Sequence, residues 1–476
     1  LKQQSRENDF MSLKKRAVKG ISWAFADQFA NNVIQFVIGI VLARLLSPQE
    51  YGLVGMLAIF MAVADTFVVA GYGEALIRKK DPTAEDYNTT FVVNVLTGFL
   101  FYLLFLILAG PISRFFREPE LAGIIKVLGL SIIISAFALV ARVPLIKELN
   151  FKSLAKISVA STLLSGIVAI VLAVKGYGVW SLVWRSVAAS LVGTGMVYLI
   201  ARPRLRLQFN RGAFGELFGF GSKLLFSRLF NEIYSNMLFV LIGKFFSTRE
   251  LGLYTRANGY KDLPSRMLNN VIQSVSFPAL AELKDDDERL RAAFRRVMQA
   301  TMYLTFTLMF CLAGCSESFI IGLIGEQWRE AIPYLQLLCF VGVFYPLHYL
   351  NLSILVVKGF SGLHLKIEIV TKLLVLPAIA LGLIWGIKWM IAGLIVVSVA
   401  DYAITATLSG RPIQYGLGRQ LADLWPSLLF GLVAGAFLYF IGTVVPVPPL
   451  PMLLLQGALG LAFVILVSDI LRLRPY

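Results

Sequence analysis

The sequence predicts an all-α polytopic membrane protein, and three observations support this fold class. Only 15% of the residues are charged and 58% are hydrophobic, whereas soluble domains carry about 25% charged residues. Apolar runs of about 20 residues recur along the whole chain, and that length of helix spans a hydrocarbon core of about 30 Å. A stretch near the N-terminus also returns 200 residues later. A spanning β-barrel would instead alternate apolar and polar residues over about 10 positions.

The apolar runs predict about fourteen transmembrane helices between residues 18 and 471. We interpret them as two six-helix lobes followed by two further helices. The segments are a cytoplasmic N-terminus over residues 1–17, an N-lobe over 18–205, a C-lobe over 206–409, and the last two helices with a cytoplasmic C-terminus over 410–476. Met11 begins a stretch typical of a natural start, and the sequence leaves open whether residues 1–10 are native.

An internal repeat supports the two lobes. The connector 44–53 after the first helix matches the connector 244–253 after the seventh helix. The residues identical at this offset of 200 are Asn31, Ser47, Glu50, Gly52 and Leu53, which match Asn231, Ser247, Glu250, Gly252 and Leu253. A repeat of this length is a duplicated half-protein, as in many transporters. Because six helices is an even number, the halves enter the membrane from the same side, which predicts a pseudo-two-fold axis along the membrane normal.

The net charge of +16 is explained by membrane orientation and does not require a nucleic-acid partner. With the N-terminus inside, 29 Lys and Arg residues fall on the inner side of the membrane and 8 on the outer side. Cytoplasmic loops carry such an excess of basic residues. Both termini are therefore predicted to be cytoplasmic, with membrane lipids around the helices.

Charged residues inside the predicted spans indicate a cavity between the lobes. A charge at the bilayer centre costs about 2.5–3.5 kcal/mol on insertion scales, so such residues usually face a bundle interior or a wet cavity. The seventh and eighth spans, 217–243 and 253–279, carry an excess of bases that would attract an anion such as a phosphate. The residues predicted to bind substrate are Lys223, Arg228, Lys261, Arg266, Arg185 and Asn231. An alternative stays open, because Arg228–Glu232 and Asp262–Arg266 are spaced to pair within one helix.

Acidic and amide side chains on the first two spans are candidates for ion coupling. These residues are Asp27, Asn31 and Asp65, and a structural hydrogen bond to a neighbouring helix is the alternative. We predict no cofactor apart from a proton or Na⁺ as the coupling ion. A lone intramembrane histidine, His348, is expected to be structural. No P-loop, HExxH or GxSxG motif occurs, so we predict no metal site and no catalytic residue.

Three stretches resemble the Wzx-type polysaccharide-transport flippases. Residues 45–53 resemble their first outer loop, residues 71–77 the end of their second helix, and residues 276–291 the join between their eighth and ninth helices. The likeness covers nearly the whole chain and is greatest to the exporters of the colanic-acid type. This family belongs to the MOP superfamily, which also contains the MATE drug exporters and the lipid II flippase.

The resemblance implies a flippase for lipid-linked oligosaccharides. Its substrate would be undecaprenyl-diphosphate carrying a repeat unit for exopolysaccharide, O-antigen or capsule, moved across the bacterial inner membrane by alternating access. Its partners would include the polysaccharide polymerase and glycosyltransferases of the same pathway. The alternative is an ion-coupled drug or metabolite exporter of the same fold. A membrane enzyme is not expected, because the outer loops are short and hold few candidate acids or bases.

Overall fold

The computed structural model describes Trp23 and residues 26–69 and 72–470. At helical positions 69, 72, 220, 223–224, 266–268, 270–271, 274–275 and 467–470 it describes the backbone alone. Every regular element in the described part of the chain is helical. The chain divides into two compact units, Leu1–Gly252 and Leu253–Tyr476.

The described residues of the first unit form eight helices, and a ninth begins there. They are α1 (Ala26–Leu45), α2 (Pro48–Val69), α3 (Tyr72–Arg78), α4 (Ala84–Phe116), α5 (Leu121–Lys147), α6 (Phe151–Val174), α7 (Val179–Ala201), α8 (Arg211–Phe245) and α9 (Thr248–Val271). Helix α5 packs against α4 and α7, α6 packs against α7, and α2 packs against α8. These contacts place α2, α5, α7 and α8 around a common interior.

The second unit continues from α9 through a π-turn, Ile272–Ser276, to the C-terminal helices. They are α10 (Phe277–Glu282), α11 (Asp287–Gly314), α12 (Ser316–Ile324), α13 (Ile332–Val357), α14 (Ser361–Leu373), α15 (Val375–Trp385), α16 (Ile387–Ser409), α17 (Leu417–Val444) and α18 (Pro449–Ile470). A 3₁₀ turn, Glu326–Ala331, leads into α13. Helix α11 packs against α17, and α13 packs against α16.

Twelve helical stretches of the described chain are long and apolar enough to cross a membrane. The chain is therefore an all-α multi-pass membrane protein, as predicted. Helices α8 and α9, at the predicted seventh and eighth spans, do not reach this threshold because several Lys, Arg, Asp and Glu residues interrupt their apolar sequence. The count of fourteen spans stays a prediction.

The repeated connectors have the same local structure. Ser47 caps α2 while its backbone N–H and hydroxyl donate to Glu50 at 2.6 and 2.9 Å. Ser247 caps α9 in the same way, with its N–H and hydroxyl donating to Glu250 at 3.2 and 3.3 Å. Both are capping boxes, in which the Glu carboxylate returns to the residue that caps the helix.

The two connectors also touch each other reciprocally inside the first unit. A Cβ atom on Gly52 would overlap the carbonyl of Thr248, and one on Gly252 would overlap the carbonyl of Pro48. Gly252 is the repeat of Gly52, and Thr248 is the repeat of position 48, so the second contact is the repeat of the first. Contacts across an isologous interface between two copies are reciprocal in the same way. The lobe boundaries at 205 and 409 stay a prediction, since the two compact units meet at Gly252.

Candidate functional site

A polar cavity of about 550 Å³ lies among α2, α5, α7 and α8 of the first unit. Three of its lining residues are apolar and eight carry a hydroxyl, carboxylate or guanidinium. The lining is formed by Ala62, Asp65, Thr66, Ser135, Ala138, Leu139, Arg142, Ser190, Thr194, Arg228 and Glu232. Polar residues on membrane helices of this kind mark substrate or ion pathways.

The two arginines of the cavity differ in whether a carboxylate pairs with them. Arg228 on α8 forms an ion pair with Glu74 on α3. Arg142 on α5 is exposed in the cavity, and no carboxylate among the residues that the structure describes pairs with it. Gly193 on α7 makes room for it, because a Cβ there would stand 3.3 Å from an Nη of Arg142. A guanidinium in the cavity without a contacting carboxylate provides a charge that an anion can neutralise.

Hydroxyl groups form the wall between α5 and α7. The Ser135 and Ser190 hydroxyls lie 3.1 Å apart, and the Thr194 hydroxyl donates to the Ile134 carbonyl at 3.0 Å. Hydroxyls can both donate and accept hydrogen bonds, so these groups keep capacity for a polar ligand. The wall combines the Arg142 guanidinium with hydrogen-bonding groups suited to a phosphorylated sugar.

The structure brings two of the residues predicted from the sequence into this cavity, Arg228 and Asp65. Arg228 pairs with Glu74 and not with Glu232, so the alternative of a pair within α8 is not formed. Arg185 and Asn231 do not line the cavity. The side chains of Lys223 and Arg266 lie outside the described residues.

Lys261 belongs to the second unit and is paired. Its ammonium lies 2.6 Å from the carboxylate of the adjacent Asp262, and both side chains are largely buried. Its stem packs over Gly342 of α13, where a Cβ would stand 2.9 Å from Cδ. Binding of substrate by Lys261 stays a prediction, and Asp262 already neutralises its charge.

Asp27 and Asn31 form a hydrogen-bonded network with α6. The buried Asn31 amide donates to Asp27 at 2.5 Å and to Ser158 at 2.9 Å, and Thr162 donates to the Asn31 carbonyl oxygen at 2.7 Å. For Asp27 and Asn31, this network is the structural hydrogen bond to a neighbouring helix that the sequence left open as the alternative to ion coupling. Ion coupling by Asp27, Asn31 or Asp65 stays a prediction.

Sequence reasoning missed Arg142, Ser135, Ser190 and Thr194. Arg142 stands five residues before Lys147, the end of α5, where the excess of inner basic residues explained it without a site. The helical sequence pattern continues past Arg142, and this continuation indicates that Arg142 belongs to the helix and not to the inner loop. The three hydroxyl residues gave no signal, since Ser and Thr are common where membrane helices pack.

Comparison with known proteins places this architecture in a family. Residues 41–333 match the family described as "Polysaccharide biosynthesis protein". The chain belongs to this family. Lipopolysaccharide biosynthesis protein WzxC of Escherichia coli (strain K12) is 26% identical over 444 residues, which cover 91% of this chain and 89% of that protein. The resemblance to Wzx-type proteins is thereby confirmed.

A second member of this group and one solved structure agree with the assignment. Succinoglycan biosynthesis transport protein ExoT of Rhizobium meliloti (strain 1021) is 27% identical over 326 residues, 68% of this chain and 66% of that protein. The structure of the lipid II flippase MurJ in an inward closed conformation superposes with a TM-score of 0.73 at 14% identity. The match covers 95% of this chain and 99% of MurJ, and shows that the two share a fold.

Proposed function

We propose that this polysaccharide biosynthesis protein is a flippase that moves a lipid-linked oligosaccharide across the bacterial inner membrane. The observation behind the proposal is the cavity of the first unit, where Arg142 has no acidic partner among the described residues and faces a hydroxyl-lined wall. The substrate would be undecaprenyl-diphosphate bearing a repeat unit. Its lipid tail would stay in the bilayer while the sugar-diphosphate head enters the cavity.

The chemistry of the headgroup matches the cavity. Taking a diphosphate out of water is prohibitive unless cations and hydrogen bonds replace its hydration. No described carboxylate contacts the Arg142 guanidinium, and a guanidinium can hold a phosphate through two parallel hydrogen bonds. Arg142 also lies near the end of α5 that is predicted to face the cytoplasm, the side from which the substrate would enter. Alternating access, with both termini cytoplasmic, completes the proposed cycle.

Replacement of Arg142 tests the proposal. In Arg142→Ala, polysaccharide output should fall at least tenfold and lipid-linked repeat units should accumulate in the inner leaflet, because a hydrogen bond to a charged group contributes about 1.5–3 kcal/mol. Arg142→Lys should retain part of the activity. Arg204→Ala, in the loop between α7 and α8, is the control and should export normally. Normal output from Arg142→Ala at equal membrane abundance would reject the proposal.

A drug or metabolite exporter is the second candidate, and the acids of the cavity favour it. Asp65 and Glu232 both line the cavity and could bind a cationic compound. This function predicts that Asp65→Asn abolishes efflux of a cationic dye while Arg142→Ala leaves it intact. A polymerase and glycosyltransferases of the same pathway are the expected partners of the flippase, and the exporter needs neither.

A further inference from the structure

The second unit contains a cluster of ionisable side chains apart from the cavity. The ring of His348 on α13 lies between two carboxylates, with Nδ1 2.7 Å from Asp401 on α16 and Nε2 3.4 Å from Glu368 on α14. Lys372, one turn further along α14, pairs with Glu368 at 2.9 Å. The four side chains are 15–26% exposed.

All three elements hold the cluster at a similar depth. His348 is nine residues before Val357, Asp401 is eight before Ser409, and Glu368 is seven after Ser361. At 1.5 Å per residue, each group lies about 10–14 Å inside its helix. Intramembrane Asp, Glu and His residues with contacts of this kind commonly bind or relay protons.

The charges of the cluster balance only when it takes up one proton, and the imidazole is the most basic of the groups that can accept it. Two carboxylates and one ammonium give a net charge of −1 with a neutral imidazole, and zero with an imidazolium. The two contacts of the ring favour the same state. A neutral imidazole has a single N–H and can serve as donor toward Asp401 or Glu368 but not toward both, whereas the imidazolium has an N–H for each.

We propose that His348, Asp401 and Glu368 form the proton-binding site that couples this protein to a proton gradient. The coupling role rests on the proposed transport function, while the binding of a proton does not. The geometry favours a proton over Na⁺, because a proton-binding imidazole stands between the two carboxylates. Release of the proton would follow any movement that separates α14 from α16.

Few other groups act on the ring. Tyr349, the next residue on α13, places its ring edge-on to the imidazole with centroids 5.8 Å apart. Among the described residues, Asp401 and Glu368 are the charged groups in contact with the imidazole, and Lys372 acts on it through Glu368. Helices α11 and α12, which also pack on α13, add no charged contact to the ring in the part of the chain that the structure describes.

The chain holds only two histidines, His348 and His364, which makes a direct measurement feasible. The variant is full-length His364→Gln, labelled with ¹⁵N-histidine in nanodiscs of phosphatidylethanolamine and phosphatidylglycerol. Its ¹⁵N NMR spectrum contains the signals of the His348 ring alone. Between pH 5 and 10 we expect one protonation step with both ring nitrogens protonated on the acid side. Replacing Asp401 by Asn should let the ring lose its proton at lower pH. Exchange of NaCl for KCl should leave the titration unchanged.

A ring that keeps one protonation state from pH 5 to 10, or that titrates the same in Asp401→Asn, would overturn the proton site. A titration displaced by Na⁺ would overturn the choice of ion.

Polysaccharide output of cells tests the coupling. His348→Gln should reduce it at least tenfold while His364→Gln exports normally, and normal output from His348→Gln would leave a proton site without a coupling role. If the protein with its natural sequence exported no polysaccharide, the proposed function would fail while the ring titration would still decide the proton site.

Discussion

Two regions of this protein hold ionisable side chains inside membrane-spanning helices, and they balance their charges differently. In the cavity of the first unit, Arg142 faces open space and no described carboxylate pairs with it. In the cluster of the second unit, His348, Asp401, Glu368 and Lys372 contact one another and have little exposure. One region holds a charge that lacks a partner, and the other needs only a proton to reach neutrality.

The difference indicates what each region can bind. A charge without a partner on a membrane helix is costly, so it is retained where a ligand arrives with the opposite charge. A closed set of paired charges has neither the space nor the spare charge for a large anion. We therefore assign the substrate headgroup to the cavity of the first unit and the proton to the cluster of the second unit.

Removing the cation of the cluster should have the largest effect on stability. Lys372→Met leaves Glu368 without its ammonium partner in a largely buried position. Breaking a buried ion pair costs about 3–5 kcal/mol, and the partial exposure of this pair places the expected loss at the lower end, about 3 kcal/mol. The measurement is denaturant unfolding in detergent micelles, followed by tryptophan fluorescence.

Lys366→Met is the matched control, since Lys366 is an exposed lysine on the same helix. It should change the free energy of unfolding by less than about 0.5 kcal/mol. Equal stability of the two variants would mean that the cluster contributes no more than surface charges do, and the contrast between the two regions would be lost.

Part of this contrast could be predicted from the sequence. Arg228 was predicted to line a cavity and Asp65 was predicted as a candidate for ion coupling, because each interrupts an apolar run and a charge there needs a polar environment. Both side chains line the cavity of the first unit. The repeat of Ser47 and Glu50 at 247 and 250 was also predicted to mark equivalent connectors, and both pairs form the same capping box. These signals are local, since composition and spacing along a single helix carry them.

The pairing of distant residues could not be predicted. Arg228 pairs with Glu74, 154 residues away, whereas the only pairing that helix spacing offered as an alternative was with Glu232 on its own helix. His348 was expected to be structural as a lone intramembrane histidine, and its two acidic contacts lie 20 and 53 residues further along the chain. Which acid pairs with which base depends on how the helices pack, and the hydropathy of the sequence does not predict that packing.

Giving Arg142 a permanent partner should convert the cavity into a paired site. In Gly193→Asp, the new carboxylate starts from a Cβ position 3.3 Å from the Arg142 guanidinium and should form an ion pair with it. The phosphate would then compete with an internal anion. We expect polysaccharide output to fall about 10- to 100-fold, the equivalent of about 1.4–2.7 kcal/mol.

Gly193→Ala is the control for Gly193→Asp, because it adds a side chain at the same position without adding a charge. Its methyl group approaches the same guanidinium and the Ser161 hydroxyl at 3.3–3.5 Å, a fit that needs only small shifts. Output of Gly193→Ala should stay within about threefold of the natural sequence. If both variants lost export equally, crowding would explain the effect and the unpaired charge of Arg142 would not be needed.

The smallest expected effect concerns paired polar groups near the surface, at the repeated connectors. Ser47→Ala removes the hydroxyl of a partly buried capping box and Ser247→Ala that of an exposed one. Loss of a cap costs about 0.5–2 kcal/mol, so we expect about 1 kcal/mol for Ser47→Ala and about 0.5 kcal/mol for Ser247→Ala in the same unfolding assay. Ser47→Thr keeps the hydroxyl and should restore most of the loss. A larger loss from Ser247→Ala than from Ser47→Ala would show that exposure does not set the strength of these pairs, and it would weaken the same inference for the cluster around His348.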